Sequence, residues 1–208
     1  MTPKNSSGPK LPMKLNLGKT ALKINVSFAA VITMMLILDG SGMCAVGLFC
    51  CVIHEVGHII CLVVLGEKPE SVEFSFYGIK LERSRRSSLT AAEEMAVYAA
   101  GPVMNFVFSA FMLPFSSTHT GIKTAAAISF CVGIFNLLPC RPLDGGNILS
   151  SFLAYTTDEE KAEKICFYTS CFVIVPMAVS GVAMIFANGN FTLAAVTAYL
   201  AWVTLKMK

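Results

Sequence analysis

The segment Cys51-Val52-Ile53-His54-Glu55-Val56-Gly57-His58-Ile59-Ile60 sets two histidines and a glutamate inside an apolar run, Met43 to Val64, that is otherwise free of charge. An ionisable side chain at bilayer depth costs roughly 2.5–3.5 kcal/mol or more unless it is paired or lines a cavity, so its default reading is functional. The spacing narrows that function. On an α-helix, residues i and i+4 lie one turn apart on one face, so His54 and His58 present two imidazoles to a single zinc ion. Glu55, beside them, is placed to take a proton from water.

The rest of the chain fits a membrane setting. Of 208 residues 55% are hydrophobic and 14% charged, which inverts the soluble balance and predicts a polytopic membrane protein. The net charge of +3 is modest, and the basic residues stand between apolar segments without interleaved aromatics, so nucleic acid is not expected as a partner. A polar lead ahead of the first apolar run argues against a signal peptide. Eight cysteines form no C-x-x-C pair; most lie in apolar segments and read as small buried hydrophobes in a reduced state, and Cys140 reads as a loop thiol without a role.

Six apolar spans are expected, at about 24–38, 43–64, 95–115, 124–138, 165–187 and 191–205. The predicted fold class is thus an all-α polytopic membrane protein with a short cytoplasmic-side β-hairpin or small sheet, forming a single domain over 1–208. Counting about 1.5 Å per residue back from Gly66 puts His58 roughly 12 Å below the nearer membrane surface. Leu11 to Leu17 alternates and, after Gly18-Lys19-Thr20, continues into Ala21 to Val26, which suggests a short hairpin at the membrane surface. Ser71 to Leu81 alternates and is rich in β-formers, so a second hairpin, about 71–82, is expected with a bend near Gly78. Fifteen of sixteen Lys and Arg residues fall on one side of the six-span arrangement and only Lys123 on the other, which predicts both termini and the site's opening towards the cytoplasm. The Arg83 to Arg86 cluster reads as a headgroup contact.

Two histidines do not complete a zinc site, because catalytic centres usually have three protein ligands. Asp144 is the best third candidate, since it follows a proline-broken helix end and two glycines let the backbone approach closely. His119 is the remaining histidine, in a loop assigned to the opposite face. For a substrate held in the membrane, the 71–82 hairpin, with Tyr77 and Gly78 at its bend, would supply a strand edge, and Asn105 and Asn136 would donate hydrogen bonds to the unwound backbone.

Three motifs then coincide: His54-Glu55-x-x-His58 in the second span, Gly101-Pro102-x-x-Asn105 in the third, and Asn136-x-x-Pro139-x-x-Pro142-Leu143-Asp144-Gly145 after the fourth. In this combination the chain resembles the site-2 protease family of intramembrane zinc metalloproteases. The resemblance covers nearly the whole chain and implies His54, His58 and Asp144 as ligands of one Zn2+, with Glu55 as the catalytic acid-base. The short six-span form is similar to the bacterial group that contains the stage IV sporulation protease, which implies intramembrane proteolysis that releases a sigma factor or transcription factor from its membrane anchor. Neither a PDZ nor a CBS domain is found. The partners implied are a membrane-tethered protein substrate, the lipid bilayer and a regulatory membrane protein. The rival reading is a catalytically inactive client-binding membrane protein of the same fold, which would have no need of Glu55. A zinc transporter is disfavoured by the single ligand set.

Overall fold

The computed structural model describes residues 12–17, 20–25, 32–37, 39–67, 69–75, 78–83, 89–115 and 120–206. Tyr77, His119 and most of the expected 24–38 span lie outside them. Two compact units are present, residues 1–48 with 62–88 and residues 49–61 with 89–208.

The first unit holds a four-stranded sheet in the order β1-β2-β3-β4, with β1 (Pro12–Leu17), β2 (Thr20–Asn25), β3 (Pro69–Ser75) and β4 (Gly78–Arg83). β1 pairs antiparallel with β2, Leu15 opposite Leu22, and β3 with β4, Val72 opposite Leu81. The sequence suggests two separate strand pairs. They are joined by a parallel pairing of β2 with β3, Leu22 opposite Val72, which gives each inner strand's free N–H and C=O groups a partner. A parallel pair needs a long crossover, and here that connection carries a helix α1, described over 32–37, and α2 (Met43–Val64).

The ends of α2 are written locally. Before it, Asp39 accepts from the backbone N–H groups of Ser41 at 3.0 Å and Cys44 at 2.6 Å and from the Ser41 hydroxyl. The Ser41 hydroxyl and the Cys44 N–H hold the Asp39 carboxyl below the usual carboxylate range. After it, Gly66 adopts a left-handed φ of 78°, and the N–H groups of Gly66 and Glu67 bond the carbonyls of Val63 and Leu62, both at 3.0 Å. This Schellman pattern stops the helix and satisfies two orphan carbonyls.

Among its described residues the second unit is all helix: part of α2, then α3 (Ala91–Met112), a 3₁₀ turn (Leu113–Phe115), α4 (Thr120–Asn136), α5 (Asp144–Thr156), α6 (Glu159–Asn188) and α7 (Thr192–Lys206). The third span was expected from Met95 but starts at Ala91, because Thr90 and Glu93 form a capping box. The prolines and glycines between Pro139 and Gly146 predict a break in the helix, and no span is expected again before Ile165. That interval contains α5, which the Pro139–Pro142 break sets off as a separate helix. α2, α3 with its 3₁₀ extension, and residues 159–187 of α6 are long and apolar enough to cross a membrane, whereas α4 and α7 are apolar but shorter. The described residues thus hold three helices long and apolar enough to cross a membrane, against six expected spans, the first of which lies largely outside them.

These helices pack with the polarity of a soluble protein reversed. Val103, Val107, Phe111, Phe172, Val179 and Phe186 are exposed, while Asn105, Ser109, Ser129, Ser170 and Thr197 are buried. Apolar association supplies little drive where the solvent is lipid, so close backbone approach and interhelical hydrogen bonds hold the bundle. Ala126, Ser129 and Gly133 form the buried stripe of α4. Across it the Ser109 hydroxyl donates to the Ala126 carbonyl at 2.8 Å, and the Ser129 hydroxyl to the Asn105 carbonyl at 3.0 Å. Pro102, in mid-helix on α3, is buried in the bundle, where a proline at depth is tolerated.

α6 and α7 meet at Gly181, where an added Cβ would lie 2.8 Å from the backbone nitrogen of Ala194 and 2.9 Å from its Cα. Gly181→Ala is therefore expected to destabilise the bundle by about 1–3 kcal/mol. A lowered thermal-unfolding midpoint in detergent, against an unchanged one for Gly121→Ala, whose site is open, checks this.

Candidate metal centre

His54 and His58 are both buried, with ring centroids 4.8 Å apart and planes at 81°. The Nδ1 of His58 lies 2.7 Å from the carbonyl oxygen of Val97, which can only accept. That ring therefore carries its proton on Nδ1 and turns the lone pair of Nε2 inward. The two Nε2 atoms are 3.1 Å apart. Asp144 Oδ2 lies 2.8 Å from His54 Nε2 and 3.3 Å from His58 Nε2, and it finds no hydrogen-bond partner among the described residues. One ligand atom from each of the three residues lies within 4.8 Å of the others. The donor set is two imidazole nitrogens and a carboxylate oxygen, buried and converging, which fits a divalent metal of the zinc class.

The position of Asp144 follows from the broken backbone before it. The Cys140 N–H bonds Leu138 O at 2.7 Å, and the Leu143 N–H bonds Cys140 O at 2.8 Å, folding 137–143 over the first turn of α5. A Cβ on Gly145 would collide with the Leu137 carbonyl, and one on Gly146 with the Cys140 carbonyl. Only glycine lets this loop close, and its closure delivers Asp144 at the start of the helix, where the dipole favours an anion. Two further bonds fix the arrangement: the Arg141 N–H to the Ser170 hydroxyl at 3.0 Å, and the Ser151 hydroxyl to Glu94 at 3.1 Å, which fastens α5 to α3.

α3 comes very close to the histidine pair. A Cβ on Gly101 would collide with His58 Nε2 and lie 2.7 Å from His54 Nε2, and one on Gly57 would lie 2.5 Å from the Ala100 carbonyl oxygen. The Gly101-Pro102 motif therefore forms a wall of the centre. Its glycine was the available signal. The Val97 carbonyl that orients His58 is a main-chain atom and left none.

The remaining site candidates fall as follows. Glu55 is half-buried on α2, within electrostatic reach of both histidines and Asp144. Asn105 is fully buried, with its amide Nδ2 3.3 Å from His54 Nδ1. It therefore faces the histidine. Asn136 is half-buried and donates through Nδ2 to the Val132 carbonyl at 3.0 Å on its own helix. Gly78 begins β4 in the first unit.

Gly101→Ala is expected to lower divalent-metal affinity by about 10–100-fold, because the new methyl group displaces the imidazoles that its neighbours aim. Metal per chain by elemental analysis after dialysis against a weak chelator, compared with Gly121→Ala, checks this.

Comparison with known proteins agrees with this geometry. Residues 113–177 match the family model of Peptidase family M50. The chain is 30% identical over 129 residues to Stage IV sporulation protein FB of Bacillus subtilis, covering 59% of this chain and 44% of that protein. It is 27% identical over 119 residues to a zinc metalloprotease of Methanocaldococcus jannaschii, covering 50% and 35%. The chain thus spans less than half the length of these curated relatives. Among solved structures, the site-2 protease from Methanocaldococcus jannaschii superposes with a TM-score of 0.68 at 21% identity, over 94% of each chain. The chain thus shares the fold of a solved site-2 protease, matches peptidase family M50 over 113–177, and has three helices long and apolar enough to cross a membrane among its described residues.

Proposed function

We propose that this chain is a zinc metalloendopeptidase that hydrolyses a peptide bond in or near a transmembrane segment of a membrane-tethered protein. The observation that carries the proposal is the convergence of His54 Nε2, His58 Nε2 and Asp144 Oδ2 in a buried place beside Glu55. Relatives named as zinc metalloproteases support the choice of metal and reaction. His54, His58 and Asp144 would hold one Zn2+, which supplies the Lewis acidity that acidifies water and polarises the scissile carbonyl.

The chain's own groups do the rest. Glu55 takes a proton from the attacking water and returns it to the departing amine, so the peptide C–N bond breaks without charge accumulating on the leaving group. The walls at Gly101 and Gly57 keep the histidine pair rigid, so the geometry is set before substrate arrives. A transmembrane substrate arrives as a helix whose carbonyls are already bonded, and it must unwind locally before attack. Asn136 keeps a second amide N–H beyond the one given to Val132, and that donor would hold the unwound backbone. The distribution of basic residues favours an orientation with both termini and the site's opening towards the cytoplasm.

Glu55→Gln is expected to keep one zinc per chain and lower turnover by about 10²–10⁴-fold, measured with single-span reporter proteins in bicelles. Undiminished cleavage would assign the proton transfer elsewhere. Asn136→Ala is expected to reduce turnover about tenfold or more with zinc unchanged. Loss of zinc in that variant would show Asn136 to be structural.

A further inference from the structure

The two histidines are supported differently. The Nδ1 of His58 faces a backbone carbonyl that accepts and cannot donate, which leaves one proton arrangement for that ring. The Nδ1 of His54 faces a side-chain amide, which can do either. Asn105 is fully buried, its Nδ2 points at His54 Nδ1 at 3.3 Å, and its Oδ1 has no hydrogen-bond partner among the described residues. Its main-chain carbonyl is held by Ser129.

With zinc on Nε2 the proton must sit on Nδ1, and an amide N–H facing it would be a donor against a donor. Turning the amide half a revolution about its last side-chain bond replaces Nδ2 by Oδ1, and the Nδ1–H then donates to the oxygen that is otherwise orphaned.

We propose that Asn105 is a positioning residue that selects the tautomer of His54, its Oδ1 accepting from Nδ1–H so that Nε2 is left bare for zinc. It rests on the zinc reading above. Asn105 touches neither substrate nor the reacting atoms; it acts through His54.

The test measures zinc affinity by chelator competition in the full-length detergent-solubilised protein, with Asn105→Leu and Asn105→Asp. Leucine fills similar space without an acceptor and is expected to weaken zinc binding about 10–100-fold, whereas aspartate keeps the acceptor and is expected to stay within about threefold of the parent. A residue that merely bridges helices would not separate the two. Because either variant can fail to fold, nitrogen NMR of the parent labelled with [15N]histidine provides a second readout. The His54 proton is expected on Nδ1 in the zinc-loaded protein. Equal zinc affinity in a folded Asn105→Leu variant, or a His54 proton on Nε2 in the zinc-loaded protein, overturns the tautomer role and leaves the zinc reading standing. A folded parent that takes up no zinc overturns both.

Discussion

Two imidazole nitrogens and a carboxylate oxygen lie 2.8–3.3 Å apart in a buried place. Three lone-pair-bearing atoms at such distances repel one another in a medium of low dielectric unless a proton or a cation stands among them. The histidine proton states decide which. Val97 fixes the proton of His58 on the far side of its ring, so that ring brings only a lone pair to the cluster. A cation is then what reconciles the three, and most of the second unit can be understood as the scaffold that makes them meet.

That scaffold works by removing side chains where backbones must approach. Gly57 and Gly101 bring α2 and α3 together at the histidine pair, while Gly145 and Gly146 let the 137–143 loop fold onto the first turn of α5. Hydroxyls then tie the helices: Ser109 and Ser129 join α3 to α4, and Ser151 with Glu94 joins α5 to α3. With the apolar side chains turned outward, these contacts carry a load that a soluble protein would give to its hydrophobic core. Rigidity at the centre and polarity in the bundle interior therefore come from the same few small residues.

Much of this was legible in the sequence. The i and i+4 spacing of His54 and His58 gave one helical face, and the prolines and glycines around Asp144 marked a backbone break at matching depth. What escaped had no side-chain signature or lay in competition between local patterns. Val97 acts through its carbonyl, α5 was hidden in a stretch whose prolines and charges suggested a loop, and Thr90 with Glu93 started α3 earlier than the apolar run did. The parallel pairing of β2 with β3 joins residues far apart in the chain, Leu22 with Val72 among them, and no periodicity reveals it. Asn105 was read as a substrate donor because a polar residue in an apolar helix is either functional or structural; its burial beside His54 had no signature in the sequence.

The central claim is that residues of α2 and α5 share one zinc ion. X-ray absorption at the zinc edge of the purified protein tests it most directly, because it reports the ligand atoms without needing a substrate. Two imidazole nitrogens and carboxylate or water oxygens at about 2.0–2.2 Å, with no sulfur, are the predicted shell. A shell containing sulfur at about 2.3 Å would place the zinc on the chain's cysteines and contradict the account.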